Sequence, residues 1–347
     1  MSDHVAHPVQ NIPIALSICI PIRNRAAYIE ETINTLRAQL RSDVEIVIVD
    51  GASNDGTDIA LARLSSSIPN FRFNRLDTNG GVDADLKLAV NLARGRYCWL
   101  MSSDDHAAAN TIDRIFDSLT TWSPGVLLFD RFEATREMKI FGTKRWIPDT
   151  NQTTRWNFGK SSEVDLYLKK INSIGALFSY IPCIVVERKS WLEAHSHLLN
   201  GTCYAHVYAC LSLLLKGSSL VYVPEPLVIC RNDNDSFSSQ GKIARFNIDF
   251  EGYRRVAQQI IMDHRNVDIM QVLRREHGFG RLMYIRSQME YKDWLTYSST
   301  KLNSIGYNPR FVYIAGIVGS VGGLVAIARK ILAIFKRVSH IMKSRMQ

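Results

Sequence analysis

The first hundred residues alternate between short apolar runs and amphipathic segments, and this alternation constrains the fold more than any other feature. Leu16–Ile22 (LSICIPI) and Glu45–Val49 (EIVIV) are apolar runs that are typical of buried parallel strands. Between them, Ala27–Leu40 places apolar residues at helical spacing against a polar opposite face. The pattern predicts a β-α-β unit.

The same alternation continues through the first third of the chain. Helices are predicted over Asp58–Leu64 and Asp83–Ala93, and strands over Phe71–Leu76 and Tyr97–Met101. Alternating strands and helices fold as a doubly wound α/β sheet, which binds ligands at the carboxyl ends of its strands. We therefore expect a Rossmann-like, mostly parallel sheet with helices on both faces.

Beyond this region the periodicity is weaker. The polar stretch Arg136–Ser162 is expected to be a loop that folds over a substrate, and Tyr222–Arg231 returns to strand character. From about Lys242 the pattern becomes helical, and from Phe311 it becomes strongly apolar. No internal repeat or low-complexity tract interrupts the chain.

Composition narrows the class of protein. A chain of 347 residues with 46% hydrophobic residues can bury a full core, which predicts one large domain plus an appendage. The formal charge of +9 suits a negative partner such as nucleic acid, an anionic membrane or a phosphorylated substrate, without choosing among them. The six scattered cysteines show no metal-site spacing and indicate a reduced, cytosolic protein, and the first residues lack the pattern of a secretory signal.

A carboxylate ends the second predicted strand, in the segment Val49–Thr57 (VDGASNDGT). Asp50 in this position can accept hydrogen bonds from the N–H groups of a nucleobase, and the following helix N-terminus favours an anion. The alternative is an ordinary β-α turn in which Asp55 or Thr57 caps the helix. The local sequence leaves both interpretations open.

Two adjacent carboxylates follow the strand Tyr97–Met101, in the segment Ser102–Asp105 (SSDD). Neighbouring carboxylates repel one another and lose hydration at the end of an apolar strand, so a bound divalent cation would stabilise them. Mg²⁺ or Mn²⁺ could then neutralise the charge on a leaving diphosphate. The alternative is a solvated cap for the helix that follows.

Taken together, these elements and their spacing resemble glycosyltransferase family 2, whose members have the GT-A fold. The resemblance covers the first third of the chain closely and continues weakly to about Ser238. It implies transfer of a sugar from a nucleotide diphosphate to an acceptor hydroxyl. The matching stretches are Ile20–Leu36 (IPIRNRAAYIEETINTL), Glu45–Thr57 (EIVIVDGASNDGT), the N-G-G and A-R-G-R-Y frame of Asn79–Tyr97, and Trp99–Asp105 (WLMSSDD).

The resemblance assigns roles by position. It makes Asp50 the contact to the base, Asp104 a ribose or metal contact, and Asp105 the ligand of a divalent cation, Mn²⁺ or Mg²⁺. Pro21 and Arg23 would lie beside the base. This sequence departs from the family pattern L-D-x-D-D in having Ser102 where the first Asp is common, so one carboxylate of that pattern is absent.

Two further positions follow from the resemblance and from sequence context. Asp233 falls where many members have a His that completes metal binding, and it could act as an oxygen ligand; the alternative is a turn residue. Asp83, Asp85 and Lys87 are expected to face the donor, with Lys87 near phosphate, although surface charges on an amphipathic helix explain them almost as well.

The family usually has an E-D pair that opens a later helix, with the Asp as general base on the acceptor hydroxyl. Counting back from Gly217 places Ala205 and His206 at these two positions. An imidazole with an ordinary pKa of about 6.5 suits deprotonation near neutrality, so His206 is the predicted catalytic base. The alternative is an ordinary, partly buried histidine.

The variants SSDD, A-H-V and R-N-D-N-D-S-F together resemble the abequosyltransferase-like branch of O-antigen enzymes.

The C-terminal segment points to a membrane. Phe311–Ala328 carries no charge but four glycines, and six basic residues follow it, from Arg329 to Arg345. The stretch is at the lower limit for spanning a bilayer, whereas basic residues near an anionic leaflet contribute about 1 kcal/mol each. We expect peripheral attachment to the inner face of the cell membrane; the alternative is a helical lid packed on the protein's own core.

These interpretations divide the chain into an N-terminal tail (1–15), a nucleotide-sugar-binding half (16–120), an acceptor-binding half of the same domain (121–240) and a helical C-terminal region (241–347). The expected function is inverting transfer of a sugar from a nucleotide sugar to a saccharide acceptor. We expect this acceptor to be lipid-linked, because a membrane tail would serve such an acceptor, and we expect no nucleic-acid partner. Two alternatives stay open. A sugar nucleotidyltransferase would need a Gly-rich phosphate loop where this chain has PIRNRAA, and a degenerate scaffold is favoured by Ser102 and Ala205.

Overall fold

The computed structural model describes residues 13–234, 242–264 and 266–320. Ten strands within these residues form one mixed sheet. The strands are β1 Leu16–Ile22, β2 Val44–Asp50, β3 Phe71–Arg75, β4 Tyr97–Leu100, β5 His106–Ala107, β6 Val126–Ala134, β7 Ile140–Lys144, β8 Thr154–Asn157, β9 Ile184–Glu187 and β10 Ser219–Arg231.

Helices cover the sheet and build the C-terminal region. The α-helices are α1 Ile29–Arg37, α2 Thr57–Ser67, α3 Val82–Leu92, α4 Thr111–Trp122, α5 Ser161–Lys170, α6 Arg188–Ala194, α7 Ala205–Leu215, α8 Lys242–Asp263, α9 Met270–Glu276, α10 Phe279–Arg286, α11 Tyr291–Tyr297 and α12 Pro309–Ser320. Short 3-10 turns lie at Ile174–Leu177, Ile181–Cys183 and His197–Leu199, and a π-helical turn at Ser298–Leu302.

The sheet runs in the order β3-β2-β1-β4-β9-β6-β10-β5. The first four strands of this order are parallel, which brings the carboxyl ends of β1, β2 and β4 to one edge. β9 is antiparallel to both of its neighbours, β4 and β6, while β6 and β10 pair in parallel. Because helices cover both faces, every residue of β2 is buried, as expected for an inner parallel strand.

The predicted β-α-β alternation of the first third is confirmed. β1 has the predicted bounds, β2 is one residue longer at each end, and β3 and β4 each end one residue earlier than predicted. The expectation of a loop over Arg136–Ser162 is wrong in part, because β7 and β8 lie within it and pair with β6 and β10. These short edge strands carry mostly half-exposed or exposed side chains, so they lack the apolar signal by which the inner strands were recognised.

The C-terminal helices pack on the sheet domain and on one another. Tyr253 of α8 donates from its hydroxyl to the carbonyl oxygens of Leu177 (2.9 Å) and Ile174 (3.1 Å). α12 lies against α10 and α11 at its glycines, since a Cβ at Gly316 would lie 2.6 Å from Trp294 Nε1. No helix in the described part of the chain is long and apolar enough to cross a membrane. The predicted basic tail from Arg329 onward lies outside the described residues.

Candidate active site

Asp50 ends β2 with one carboxylate oxygen held and the other unpartnered. Its Oδ1 accepts a hydrogen bond from the backbone N–H of Ser53 at 3.1 Å and another from the Ser53 hydroxyl. Its Oδ2 is buried and makes no hydrogen bond within the described residues; the nearest cation, Arg75 Nε, is 3.8 Å away. A buried carboxylate oxygen without a donor is costly, so this atom is prepared to accept a hydrogen bond from a ligand.

Asp85, near the start of α3, lies beside Asp50. Burial and the negative charge of Asp50 raise the pKa of Asp85 to about 6, and the positive charge of Arg23 opposes this shift. Its Oδ1 is also buried and unpartnered among the described residues. A Cβ at Gly51 would lie 2.5 Å from Asp85 Oδ2, so only glycine allows this approach. The structure thus brings three predicted donor-site residues, Asp50, Asp85 and Arg23, into one place.

Of two other predicted donor-binding residues, Pro21 lies near Asp50 and Lys87 lies elsewhere. Pro21 lies in β1 opposite Val49, one position before Asp50, and is partly exposed. Lys87 acts elsewhere: its positive charge adds to the burial that lowers the pKa of His195 to about 4, whereas the charges acting on Asp85 come from Asp50 and Arg23. The structure therefore does not group Lys87 with the Asp50–Asp85 pair.

Asp105 is held by protein donors on both carboxylate oxygens. Oδ1 accepts from the backbone N–H of Arg231 at 2.8 Å, and Oδ2 accepts from the hydroxyls of Tyr180 (2.6 Å) and Ser102. Only 4% of the residue is exposed. Both oxygens of Asp105 thus have protein donors, one of them Ser102, and these bonds fix the loop; the role of metal ligand stays a prediction.

Asp104 has the more open carboxylate. Its Oδ2 accepts from Asn234 Nδ2 at 2.6 Å and lies 3.8 Å from Arg25 Nε, while its Oδ1 makes no hydrogen bond within the described residues. Burial and the negative charge of Asp105 raise its pKa to about 6, and Arg25 opposes the shift. A raised pKa beside a second carboxylate marks a place where an added cation would stabilise the ionised form.

The donor set fits a cation that is shared with a substrate. Within the described ranges, no three His, Cys, Asp or Glu side chains are arranged to hold a metal ion by themselves. The predicted set of Asp104, Asp105 and Asp233 is therefore not assembled: Asp233 is exposed in a left-handed turn (φ 60°), and its neighbour Asn234 faces Asp104 instead. One open carboxylate is nevertheless sufficient for Mg²⁺-type ions that take further oxygens from phosphates and water.

Arg231, the last residue of β10, orders the acidic loop. Besides its backbone bond to Asp105, its Nε donates to the carbonyl oxygen of Asp104 at 2.9 Å, and its Nη2 pairs with Glu31 at 2.6 Å. Its guanidinium lies 5.0 Å from the ring centre of Tyr28. Sequence reasoning missed this residue, although a lone arginine that ends a predicted strand at the ligand edge was a usable signal.

His206 opens α7 as predicted, but in a closed environment. The residue is 5% exposed, and its Nε2 lies 2.9 Å from the carbonyl oxygen of Phe178, to which it donates. Burial lowers its pKa to about 4, so the ring is neutral and weakly basic at neutral pH. Asp83 of α3 holds this helix start by accepting from the backbone N–H of Ala205 at 3.0 Å. These contacts give His206 a structural place and do not support the predicted role of general base.

Comparison with known proteins agrees with this arrangement. Residues 17–174 match the family described as Glycosyl transferase family 2. Abequosyltransferase RfbV of Salmonella typhimurium is 34% identical over 251 residues, which cover 70% of this chain and 74% of that protein. Glycosyltransferase GlyG of Streptococcus pneumoniae is 23% identical over 104 residues, covering 30% of this chain and 35% of that protein.

Solved structures show the same fold. S. aureus TarS 1–349 in complex with UDP has a TM-score of 0.60 at 16% identity, over 90% of this chain and 82% of that one. The mannosyltransferase PcManGT from Pyrobaculum calidifontis, in complex with GDP-Man and Mn²⁺, has a TM-score of 0.52 at 13% identity, over 90% and 86%. At these identities the likeness concerns the fold alone, and it confirms the expected GT-A-like α/β architecture. The chain belongs to glycosyltransferase family 2 and is a glycosyltransferase.

Proposed function

We propose that this glycosyltransferase takes its sugar from a nucleoside diphosphate carrier and transfers it, with inversion, to an acceptor hydroxyl. The observation that carries the proposal is the unpartnered Oδ2 of Asp50 at the carboxyl end of β2. A nucleobase N–H is the donor that this buried oxygen lacks, and Arg23 and Asp85 lie beside it. Pro21, one strand away, borders the same position.

The diphosphate is placed at Asp104 in this proposal. Its open Oδ1 and raised pKa suit a Mn²⁺ or Mg²⁺ ion that also contacts the phosphates, whereas the oxygens of Asp105 already have three donors. Such an ion, when bound, neutralises charge on the leaving diphosphate. Arg231 and Asn234 keep Asp104 in position by holding its carbonyl and carboxylate oxygens.

For the acceptor and the sugar, support comes from the relatives. RfbV is named an abequosyltransferase, so we propose hexosyl or deoxyhexosyl transfer onto a saccharide in bacterial surface polysaccharide (O-antigen) synthesis. A lipid-linked acceptor would bring the enzyme to the inner face of the cell membrane. Three large side chains of α12, Tyr313, Ile314 and Ile317, are more than half exposed and would add apolar surface for this contact.

A panel of nucleotide sugars tests the donor proposal directly. Each is added to the full chain with Mn²⁺, and the unfolding temperature is measured, because a ligand that binds the native state stabilises it. We expect one or a few nucleotide sugars to raise the unfolding temperature only when Mn²⁺ is present, and to be hydrolysed slowly without acceptor. Stabilisation that chelation leaves unchanged would contradict the metal proposal, and no response to any member would contradict the donor proposal. Binding without hydrolysis or transfer would favour a scaffold.

A further inference from the structure

A cavity of about 460 Å³ lies between the sheet and the C-terminal helices. One wall comes from β6, β7 and the turn around Tyr180, and the other from α8, the end of α9 and α10. Tyr180 lies in the wall and donates from its hydroxyl to Asp105 Oδ2 at 2.6 Å. The cavity is therefore adjacent to the acidic loop and separate from the Asp50–Asp85 pair.

The carboxylates in the cavity wall are already engaged by protein donors. Each has a specific partner: Glu133 is held by Arg131 at 2.9 Å, Asp249 by Arg245, and Glu276 by the backbone N–H of Ile174 at 2.5 Å. Two of the four cations in the wall are thus paired with acids. Glu276 keeps its negative charge, because a backbone N–H is a neutral donor, so the wall carries four cations against three carboxylates.

The other two cations in the wall are Lys144 and Arg281. Neither has a carboxylate within 4.0 Å among the described residues. The Arg281 guanidinium lies over the ring of Phe246, 4.7 Å from its centre, which leaves its N–H edges available. With four cations and three carboxylates, the cavity wall therefore has a net positive charge.

A buried histidine in the same wall lacks a hydrogen bond. His277 is 4% exposed, and neither Nδ1 nor Nε2 has a hydrogen-bond partner among the described residues. Its Nε2 lies 3.6 Å from Asp249 Oδ2, beyond hydrogen-bond distance. An unsatisfied ring at this depth in a cavity wall indicates a polar ligand, because such groups rarely stay unpaired.

We propose that this cavity binds an anionic group carried by the sugar acceptor, with Lys144 and Arg281 as its counter-charges and His277 as a hydrogen-bond partner. The inference rests on the proposed function, because it takes the Asp50–Asp104 edge as the donor side and assigns the acceptor to the other side of Asp105. The substrate class is a saccharide that bears a phosphate or a carboxylate. Such an acceptor would meet the donor beside Tyr180.

Sugar ligands that differ only in charge test the proposal. Glucose 1-phosphate, glucuronate and methyl glucoside are titrated into the full chain in EDTA, which removes the cation from the donor site, and binding is followed by ligand-observed NMR. We expect the phosphate or the carboxylate sugar to bind and the neutral sugar not to bind. Lys144→Gln or Arg281→Gln should lower the affinity for the anionic sugar about tenfold, since a charge-assisted hydrogen bond contributes roughly this factor. Arg281→Lys should restore part of the affinity.

Matched controls use cations outside the cavity. Lys292 is exposed on α11, and Arg96 is exposed and lies 5.3 Å from the ring centre of Tyr97, much as Arg281 lies over Phe246. Lys292→Gln and Arg96→Gln should bind the anionic sugar like the wild type, and thermal unfolding verifies that each variant is folded. The better of the two anionic sugars identifies phosphate or carboxylate as the recognised group.

Three results would overturn the proposal: no binding of either anionic sugar, equal binding of methyl glucoside, or equal losses in cavity and control variants. Nucleoside diphosphate binding with Mn²⁺ is measured on the same proteins and should not change. Suppose that the wild type binds glucose 1-phosphate but no nucleoside diphosphate, and that Lys144→Gln weakens the binding of glucose 1-phosphate. The proposed function would then be wrong, while the proposed anion site would stand. The two proposals can thus fail independently.

Discussion

The carboxylate of Asp105 accepts a hydrogen bond from the backbone N–H of Arg231 at 2.8 Å, and this bond links the loop after β4 to the end of β10. Tyr180 donates to the same carboxylate from a third segment of the chain. Asp105 therefore joins three segments that lie far apart in the chain. The adjacent Asp104 keeps one carboxylate oxygen without a hydrogen bond among the described residues.

Replacement of Asp105 tests this structural role. Asp105→Asn puts an amide N–H₂ where one oxygen accepts hydrogen bonds, so the free energy of unfolding should fall by about 2–4 kcal/mol, as expected for the loss of one or two hydrogen bonds to a charged group. Urea denaturation measures the change. Asp117→Asn, on the exposed face of α4, is the control and should stay within about 0.5 kcal/mol of wild type. A fully stable Asp105→Asn that has lost only metal binding would restore the sequence-based metal assignment.

His206 should make stability depend on pH in a defined window. Its folded pKa is about 4, below the ordinary value of 6.5, so the unfolded chain binds a proton more readily between these values. The contribution of His206 is fully present above about pH 6.5 and is lost as the pH falls toward about 4, by up to about 3 kcal/mol. His206→Gln should remove this part of the pH dependence in urea unfolding.

The effect of His206 on the pH dependence of stability must be measured as the difference between wild type and variant, because other groups titrate in the same pH range. Burial raises the pKa values of Asp85, Asp104 and Asp130 to about 6, which favours the folded state as the pH falls and opposes the histidine effect. His197→Gln, at an exposed position, is the control and should leave the curve unchanged. His206→Gln should also keep most of its sugar transfer. A hundredfold loss of kcat with an unchanged unfolding curve would return His206 to the role of base.

Asp50→Asn should weaken donor binding without weakening the fold. The substitution removes an acceptor from the proposed base contact, and we expect the dissociation constant of the nucleotide sugar to rise about tenfold. It also removes the charge that helps to raise the pKa of Asp85, so that pKa should fall, as followed by carboxyl NMR titration. A variant that binds nucleotide sugar as well as wild type would exclude Asp50 from the base site.

A truncated chain tests membrane binding independently of folding. Cutting the chain after Ser320 keeps α12, whose Gly316 and Gly319 pack on Trp294 and Arg286, whereas a cut after Asn308 would expose that surface. We expect the full chain to sediment with anionic vesicles and less with neutral ones, and the truncated chain to bind vesicles more weakly while it still binds nucleotide sugar. Equal sedimentation of both chains with anionic vesicles would contradict a role for the tail.

The sequence predicted the strands of the first third well and the partners of the acidic loop poorly, for a physical reason. β1, β2 and β4 are buried on both faces and read as continuous apolar runs, so the carboxylates after them could be placed at one edge. The partners that distinguish Asp104 from Asp105, Tyr180 and Arg231, come from segments 75 and 126 residues away from Asp105 in the chain. His277 was not recognised because the cavity whose wall it joins forms only after the C-terminal helices pack.

We propose that Asp104, rather than Asp105, presents a cation to the diphosphate of a nucleotide sugar. The decisive measurement is isothermal titration of the best-stabilising nucleotide sugar into wild type, Asp104→Asn and Asp105→Asn, each with Mn²⁺ and with EDTA. We expect Asp104→Asn to unfold like wild type but to lose the Mn²⁺-dependent gain in affinity, at least about tenfold. If Asp104→Asn bound the donor with Mn²⁺ as tightly as wild type while a stably folded Asp105→Asn did not, Asp104 would not be the residue that presents the cation.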